Sequence, residues 1–141
     1  MTVADEQNGI CFVDSNIWLY AFIETQDVDK ANIAAVLIQN QSIAVSTQII
    51  NEVCSNLIRK AHFSEEATRE LVLSFYDRYE VIEIDKEILL QSSRIREKHN
   101  FSFWDSLVVA CAVQSGADIL YSEDMQDGFV LEKTRIVNPF K

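Results

Sequence analysis

Short apolar runs alternate with longer amphipathic stretches along the 141-residue chain. Apolar runs of a few residues are typical of strands, and apolar residues spaced three and four apart are typical of helices. The pattern predicts five strands, over residues 10–13, 43–45, 79–84, 119–121 and 135–137. It predicts helices over about residues 15–23, 28–39 and 47–61, and three more that follow caps at Ser64, Asp85 and Ser102 and end near residues 78, 98 and 115.

Capping residues support several of these helix boundaries. Ser46 suits the N-cap of the helix over 47–61, and Ser102 with Asp105 has the spacing of a capping box. Gly116 stands where a helix over 102–115 would end in a left-handed residue. The helix boundaries therefore follow from local chemistry as well as from periodicity.

Strand followed by helix, repeated along the chain, predicts an α/β fold with a mostly parallel sheet and helices on both faces. No linker, internal repeat or low-complexity segment interrupts residues 1–141, so we expect one domain of this length. The polar stretch over residues 1–9 is expected to be flexible.

Composition narrows the class of protein. Hydrophobic residues make up 48% of the chain, with three glycines and one proline, which is typical of an ordered, helix-rich globule. The longest apolar stretches fall short of the ~20 residues of a membrane helix, and the acidic start lacks the features of a secretory signal. We therefore expect a cytoplasmic protein without a membrane segment. The isolated Cys11, Cys54 and Cys111 fit buried free thiols in a reducing compartment.

The formal net charge of −10 argues against a broad basic surface for nucleic acid. It leaves two kinds of partner: a basic protein, or a polyanion whose binding is mediated by metal ions.

Four acidic residues follow predicted strands or lie near helix starts. Asp14 and Asp124 come after strands, Asp105 is in the first turn of a helix, and Glu52 lies about two turns into another. Ligands of open parallel sheets bind beyond the carboxyl ends of the strands. The four carboxylates are expected to meet there if the first strand and the strand over 119–121 are neighbours.

A carboxylate cluster without a nearby His or Cys cluster suits a hard divalent cation such as Mg²⁺ or Mn²⁺. Such ions bind phosphate oxygens and activate water, so the cluster predicts cleavage of phosphodiesters. Each acid also has an ordinary structural explanation, as a helix cap, a solvated helix residue or a turn residue. Trp18 and Trp104 are expected to pack in the core.

Four motifs resemble those of PIN-domain ribonucleases, and in particular VapC-like toxins of type II toxin–antitoxin modules. Their order and spacing agree across nearly the whole chain, at residues 12–20 (FVDSNIWLY), 46–53 (STQIINEV), 102–112 (SFWDSLVVACA) and 120–128 (LYSEDMQDG).

The resemblance implies an α/β/α sandwich around a sheet of four to five strands, and Mg²⁺- or Mn²⁺-dependent cleavage of RNA. It implies that Asp14, Glu52, Asp105 and Asp124 are the acidic quartet, with Asp14 and Asp105 as the principal metal ligands. Asp127 matches a further acidic position of some members, while Ser15, Asn16 and Ser122 match small polar positions that orient the acids. It also implies a homodimer and a cognate antitoxin protein.

Two alternatives stay open from the sequence. Glu123 is adjacent to Asp124 and could supply the fourth carboxylate in its place. The chain could also be a catalytically weak PIN domain that binds RNA or assembles with other proteins. A phosphatase with an aspartyl nucleophile is disfavoured, because Asn16 stands where such an enzyme has a second acid.

Overall fold

The computed structural model describes residues 9–23 and 27–141. The segment 1–9, which we expect to be flexible, lies outside the described residues except for Gly9. Described residues form six strands and six helices, in the order β1 (Ile10–Val13), α1 (Ser15–Phe22), α2 (Val28–Asn40), β2 (Ser42–Ser46), α3 (Thr47–Ala61), α4 (Glu65–Arg78), β3 (Glu80–Ile82), α5 (Lys86–Lys98), α6 (Phe103–Gln114), β4 (Ile119–Tyr121), β5 (Val130–Leu131) and β6 (Thr134–Val137).

One sheet contains all the described strands, in the order β3-β2-β1-β4-β6-β5. The pairs β1–β2, β1–β4, β2–β3 and β4–β6 are parallel, and β5 pairs antiparallel with β6 at the edge. The prediction of a mostly parallel α/β sheet is confirmed, with one strand more than the four to five expected.

The helices pack in two groups against this sheet. Helix α1 contacts α2 and α3, helix α3 contacts α4, and α5 packs against α6. Strand β2 contacts α3 of the first group and α6 of the second, as expected for a sheet with helices on both faces. Burial of Phe12, Val45 and Leu120 on the central strands places the core between sheet and helices.

The unpredicted strand β5 belongs to a two-residue hairpin with β6. Glu132 and Lys133 connect the strands, and Glu132 adopts the left-handed φ of 52°. Such turns usually carry Asn or Gly, which is why this one gives no signal in the sequence. Strand β3 is also shorter than the run over 79–84 that predicts it.

The prediction that both tryptophans pack in the core is right for one of them. Trp18 is 1% exposed, packs edge-on against Phe75 and Tyr79, and donates its indole N–H to the carbonyl of Val13 at 3.1 Å. Trp104 is 63% exposed, so its core prediction is wrong. It lies in the first turn of α6, where residues 102–104 are exposed, ahead of the buried stretch over 106–112.

The three cysteines are buried and free, as expected. Burial raises the pKa of Cys11 to about 12 and that of Cys111 to about 11, which keeps both as thiols at neutral pH. In the two described ranges, no helix has the length and apolar character to cross a membrane.

Candidate active site

The pairing of β1 with β4 brings two distant segments together at the carboxyl edge of the sheet. Val13 is in register with Tyr121, and the Asp14 N–H donates to the Tyr121 carbonyl at 3.0 Å. Asp14 and Ser122 therefore leave the sheet side by side. The adjacency on which convergence of the acids depends is confirmed.

Asp14 is a buried carboxylate that both caps a helix and faces the site. Its Oδ1 accepts the N–H of Ser15 at 2.8 Å, which caps α1, and its Oδ2 accepts the Ser122 hydroxyl at 2.8 Å. Only 9% of the residue is exposed. Hydrogen bonds to both oxygens fix the orientation of the carboxylate before any ligand binds.

The adjacent acids Glu123 and Asp124 point to different partners. Asp124 Oδ2 accepts a hydrogen bond of 3.1 Å from the side-chain N–H of Asn16, which lies in the first turn of α1, directly after Asp14. Glu123 instead accepts the Tyr20 hydroxyl at 2.8 Å and forms an ion pair with Lys30. Of the two, Asp124 is the one whose carboxylate lies with Asp14, and Glu123 anchors the loop to α1 and α2.

Asp105 lies in the first turn of α6. Its backbone N–H donates to the Ser102 hydroxyl at 3.1 Å, but within residues 9–23 and 27–141 its carboxylate accepts no hydrogen bond from the Ser102 N–H in return. Only half of the expected capping box forms. The carboxylate therefore remains available at the helix N-terminus, where the helix dipole favours negative charge.

Glu52 projects from the second turn of α3, four residues after Gln48. The pKa of Glu52 is raised by desolvation of its carboxyl group and by the charge of Asp14, lowered by a hydrogen bond from Gln48, and raised again by Asp105. The charges of two other acids thus raise the pKa of Glu52, although Glu52 belongs to a different helix.

The electrostatics of Asp14 link it to the remaining members of the group. Burial raises its pKa, hydrogen bonds from Ser122 and Ser15 oppose that rise, and the charges of Asp105 and Asp124 add to it. Asp14, Glu52, Asp105 and Asp124 are therefore one interacting cluster of negative charge at the edge of the sheet.

Two buried amide oxygens border this cluster without a hydrogen-bond partner in the described residues: Asn16 Oδ1 and Gln48 Oε1. Unpaired buried acceptors are uncommon in proteins, and both residues also contact acids of the cluster. Carboxylate and amide oxygens are the donors that hard divalent cations prefer, so the residues present fit such an ion. In the same part of the chain, no three His, Cys, Asp or Glu side chains are drawn together tightly enough to hold an ion as they stand.

Asp127 and Ser15 differ in how they relate to the cluster. Asp127 accepts the Asn138 N–H at 2.8 Å and lies 4.0 Å from the Lys141 ammonium, so its carboxylate faces the C-terminal segment rather than the cluster. Ser15 contacts Asp14 through its backbone N–H, and its hydroxyl makes no hydrogen bond within the described residues.

Several residues of the site carry no sequence signal that separates them from ordinary surface residues. Lys30 and Tyr20 support Glu123 across 93 and 103 positions, which only the fold brings together. Gln48 is one helical turn before Glu52, a spacing that places the two side chains on the same face and could have identified it.

The chain matches a known protein family over most of its length. The sequence model described as "PIN domain" matches residues 11–127. No curated protein sequence matches the chain.

Several solved structures share the fold at low sequence identity. One is a toxin–antitoxin complex from Klebsiella pneumoniae, with a TM-score of 0.70, 17% identity, and coverage of 93% of this chain and 98% of that one. Another is the sarcin–ricin-loop-cleaving toxin VapC20 of Mycobacterium tuberculosis, with a TM-score of 0.65, 16% identity, and coverage of 78% and 86%. A third is VapBC2 of Rickettsia felis bound to promoter DNA, with a TM-score of 0.56, 20% identity, and coverage of 82% and 87%.

Proposed function

Since this chain belongs to the PIN domain family, we propose that it is a Mg²⁺- or Mn²⁺-dependent endoribonuclease that cleaves RNA phosphodiesters. The observation that carries the proposal is the pairing of β1 with β4, which brings Asp14 and Asp124 to one edge of the sheet, where the Asn16 side chain donates to Asp124. The charges of Asp105 and Asp124 act on Asp14, and those of Asp14 and Asp105 act on Glu52. Such a cluster is costly when it stands alone and suits a cation that neutralises it.

The chain's own side chains would hold and orient the ion. Asp14 and Asp105 would be its principal ligands, with Asp124 and Glu52 completing the acidic set. Ser122 and the N–H of Ser15 fix the two oxygens of Asp14. When bound, a divalent ion supplies an activated water and neutralises the negative charge that develops on the phosphate. Asn16 holds Asp124 at a fixed distance from the Asp14 turn through its amide nitrogen.

We also propose that the protein is the toxin of a toxin–antitoxin pair in the cytoplasm. The solved relatives are toxins or toxin complexes, which supports a cognate antitoxin as partner. An apolar groove between α1, α2 and α4, lined by Trp18, Phe22, Ile38, Leu71 and Tyr79, offers a surface for a protein partner. A homodimer stays a prediction, and light scattering of the purified chain tests it.

A second candidate is a catalytically weak PIN domain that binds RNA or assembles with proteins. It is favoured by one observation: no three of the described acids converge as closely as a set of metal ligands.

Incubation of the purified protein with total RNA and with synthetic single-stranded RNA decides between the two. Cleavage that requires Mg²⁺ or Mn²⁺, stops with chelator and resumes when metal is restored supports the nuclease. Binding without cleavage at any metal concentration would reject it in favour of the binding module. Induced expression tests the toxin proposal separately: arrest of host growth that a co-expressed antitoxin candidate relieves supports it.

A further inference from the structure

The two most exposed aromatic side chains among the Phe, Tyr and Trp residues described are adjacent and directly precede Asp105. Phe103 is 59% exposed and Trp104 is 63% exposed. Their ring centroids lie 5.4 Å apart at an interplanar angle of 75°. Aromatic rings contribute more binding free energy than most side chains when a partner covers them. Two exposed neighbouring rings beside an acidic cluster therefore indicate a binding surface.

Arg96 of α5 places a positive charge against this pair. Its guanidinium carbon lies 4.3 Å from the Phe103 ring centroid, and its Nη1 donates to the Ser92 and Ser106 hydroxyls at 3.0 and 2.9 Å. Within residues 9–23 and 27–141 it forms no ion pair with an acid, and no hydrogen bond from its Nε or Nη2 is found. Three donors of a rigidly held cation thus stay available in a chain of net charge −10.

On the basis of the proposed function, we propose that Phe103 and Trp104 stack on an RNA base next to the scissile phosphate and that Arg96 contacts a backbone phosphate of the same strand. Every base has a π-face, so a stacking surface binds without reading sequence. An arginine that lies on an aromatic ring and still has free N–H groups can contact a phosphate with two of them. Metal ions and this single cation would then supply the attraction that the acidic surface lacks.

A protein partner is the competing occupant of the same surface, either a second copy of the chain or another protein. The free donors of Arg96 and the position of the rings one and two residues before Asp105 favour RNA. An apolar protein interface would leave a desolvated guanidinium without an acid, which is costly. The experiment separates the two.

Intrinsic fluorescence measures the contact directly because the chain has two tryptophans and Trp18 is buried. A single-stranded RNA decamer is added to the protein at low ionic strength, first in the presence of EDTA. The emission is measured again directly after mixing with Mg²⁺. We expect the RNA to quench the wild-type emission and to leave that of Trp104→Phe, which reports Trp18 alone, unchanged. No quenching of the wild type under either condition would overturn the stacking contact.

Steady-state cleavage gives a second readout. We expect Trp104→Leu to raise KM about tenfold, the effect of losing one stacked base, with kcat within about threefold. Trp104→Phe keeps a ring and should stay near the wild-type KM. The control Leu89→Ala changes an exposed apolar residue of α5, about 10 Å along that helix from Arg96, and should leave KM unchanged.

A substrate series with one abasic nucleotide identifies the base. At one position next to the cut, removal of the base should raise the wild-type KM about tenfold and leave that of Trp104→Leu unchanged, because the contact is already lost. Arg96→Gln should lower the slope of log Kd against log salt by about 0.7, the share of one phosphate on a single strand. Circular dichroism checks that this variant folds.

The outcomes distinguish this proposal from the nuclease itself. Metal-dependent cleavage by Trp104→Leu with an unchanged KM would reject stacking and keep the nuclease. Quenching by RNA without cleavage would keep stacking and reject the nuclease. A change of oligomeric state in Trp104→Leu with unchanged KM would assign the rings to a protein interface and overturn the proposal.

Discussion

The Ser122 hydroxyl donates a 2.8 Å hydrogen bond to Asp14 Oδ2, across 108 positions of sequence. Both residues are buried, and both follow strands that lie side by side. The bond favours the charged form of Asp14 and opposes the effect of burial on its pKa. A hydroxyl that follows one strand thus lowers the pKa of an acid that follows another.

Removal of this hydroxyl should shift the pH dependence of cleavage. In Ser122→Ala the pKa of Asp14 rises further, so its carboxyl group loses the proton only at a higher pH. We expect the acidic limb of kcat/KM to move to higher pH, with about tenfold lower activity below neutrality, as for other supports of metal ligands. Ser15→Ala, which keeps its backbone N–H, is the control. Superimposable pH profiles of wild type and Ser122→Ala would contradict the role of the bond.

Neutralisation of single acids should separate activity from stability. We expect Asp14→Asn and Asp105→Asn to abolish RNA cleavage and to change Tm by less than roughly 4 °C, because an uncharged amide keeps the shape and relieves repulsion. Asp127→Asn is the matched control, since its carboxylate faces Asn138 and Lys141. Gel-based cleavage assays and thermal denaturation measure the two effects. Full cleavage by either Asp14→Asn or Asp105→Asn would contradict the assignment.

The adjacent acids of the loop after β4 should behave differently. Asp124→Asn is expected to lose most activity, and Glu123→Gln to weaken only the apparent affinity for Mn²⁺, by about tenfold, because it loosens the loop. Lys30→Met removes the ion-pair partner of Glu123 and should match Glu123→Gln. The double variant should be no worse than either single one. Mn²⁺ titrations of cleavage provide the measurement, and equal loss in Asp124→Asn and Glu123→Gln would contradict the distinction.

Stability should depend on pH and metal together. Folding raises the pKa of Asp14 and Glu52 above their ordinary values of 3.8 and 4.5, so the folded state binds more protons than the unfolded state above those values. The stability of the metal-free protein should therefore be greatest below about pH 4 as far as these two groups are concerned, and should fall as pH rises through the raised values.

A bound ion reverses this trend. At 100 times its Kd, Mn²⁺ should stabilise the fold by about 2.7 kcal/mol, with a larger rise in Tm at pH 7 than at pH 5. Differential scanning calorimetry at the two pH values measures it, and Asp14→Asn should remove most of the rise. A Tm that saturating Mn²⁺ leaves unchanged at pH 7 would count against a metal site at this cluster.

The fold was largely predictable because its signals are local. Strand, cap and apolar spacing within each segment predict β1, α3 and α5 nearly to the residue. The contact between Lys30 and Glu123 was not predictable, since the local sequence around either residue does not indicate that the other lies beside it in the fold. The exposure of Trp104 was also missed, for a different reason. Helix α6 is buried on every side over residues 106–112, so its apolar composition conceals that its first turn is open to solvent.

The site was predictable to the extent that it follows from topology. Strand ends of a parallel sheet share an edge, which brings Asp14 and Asp124 together once β1 and β4 pair. The separate partners of Glu123 and Asp124 depend on side-chain direction, which adjacent positions in a loop do not encode. Likewise, whether the Asp105 carboxylate accepts the second hydrogen bond of the capping box depends on its rotamer, which the sequence spacing does not determine.

The double role of Asp14, as cap of α1 and as a charged group of the site, affects which mutations of the gene can persist. Asparagine caps helices as well as aspartate does, so folding offers no barrier to its appearance at this position. One nucleotide transition in the codon makes that replacement. If the protein is toxic to its host, selection for survivors would enrich alleles that encode a stable, harmless protein, and the gene would be silenced without being lost.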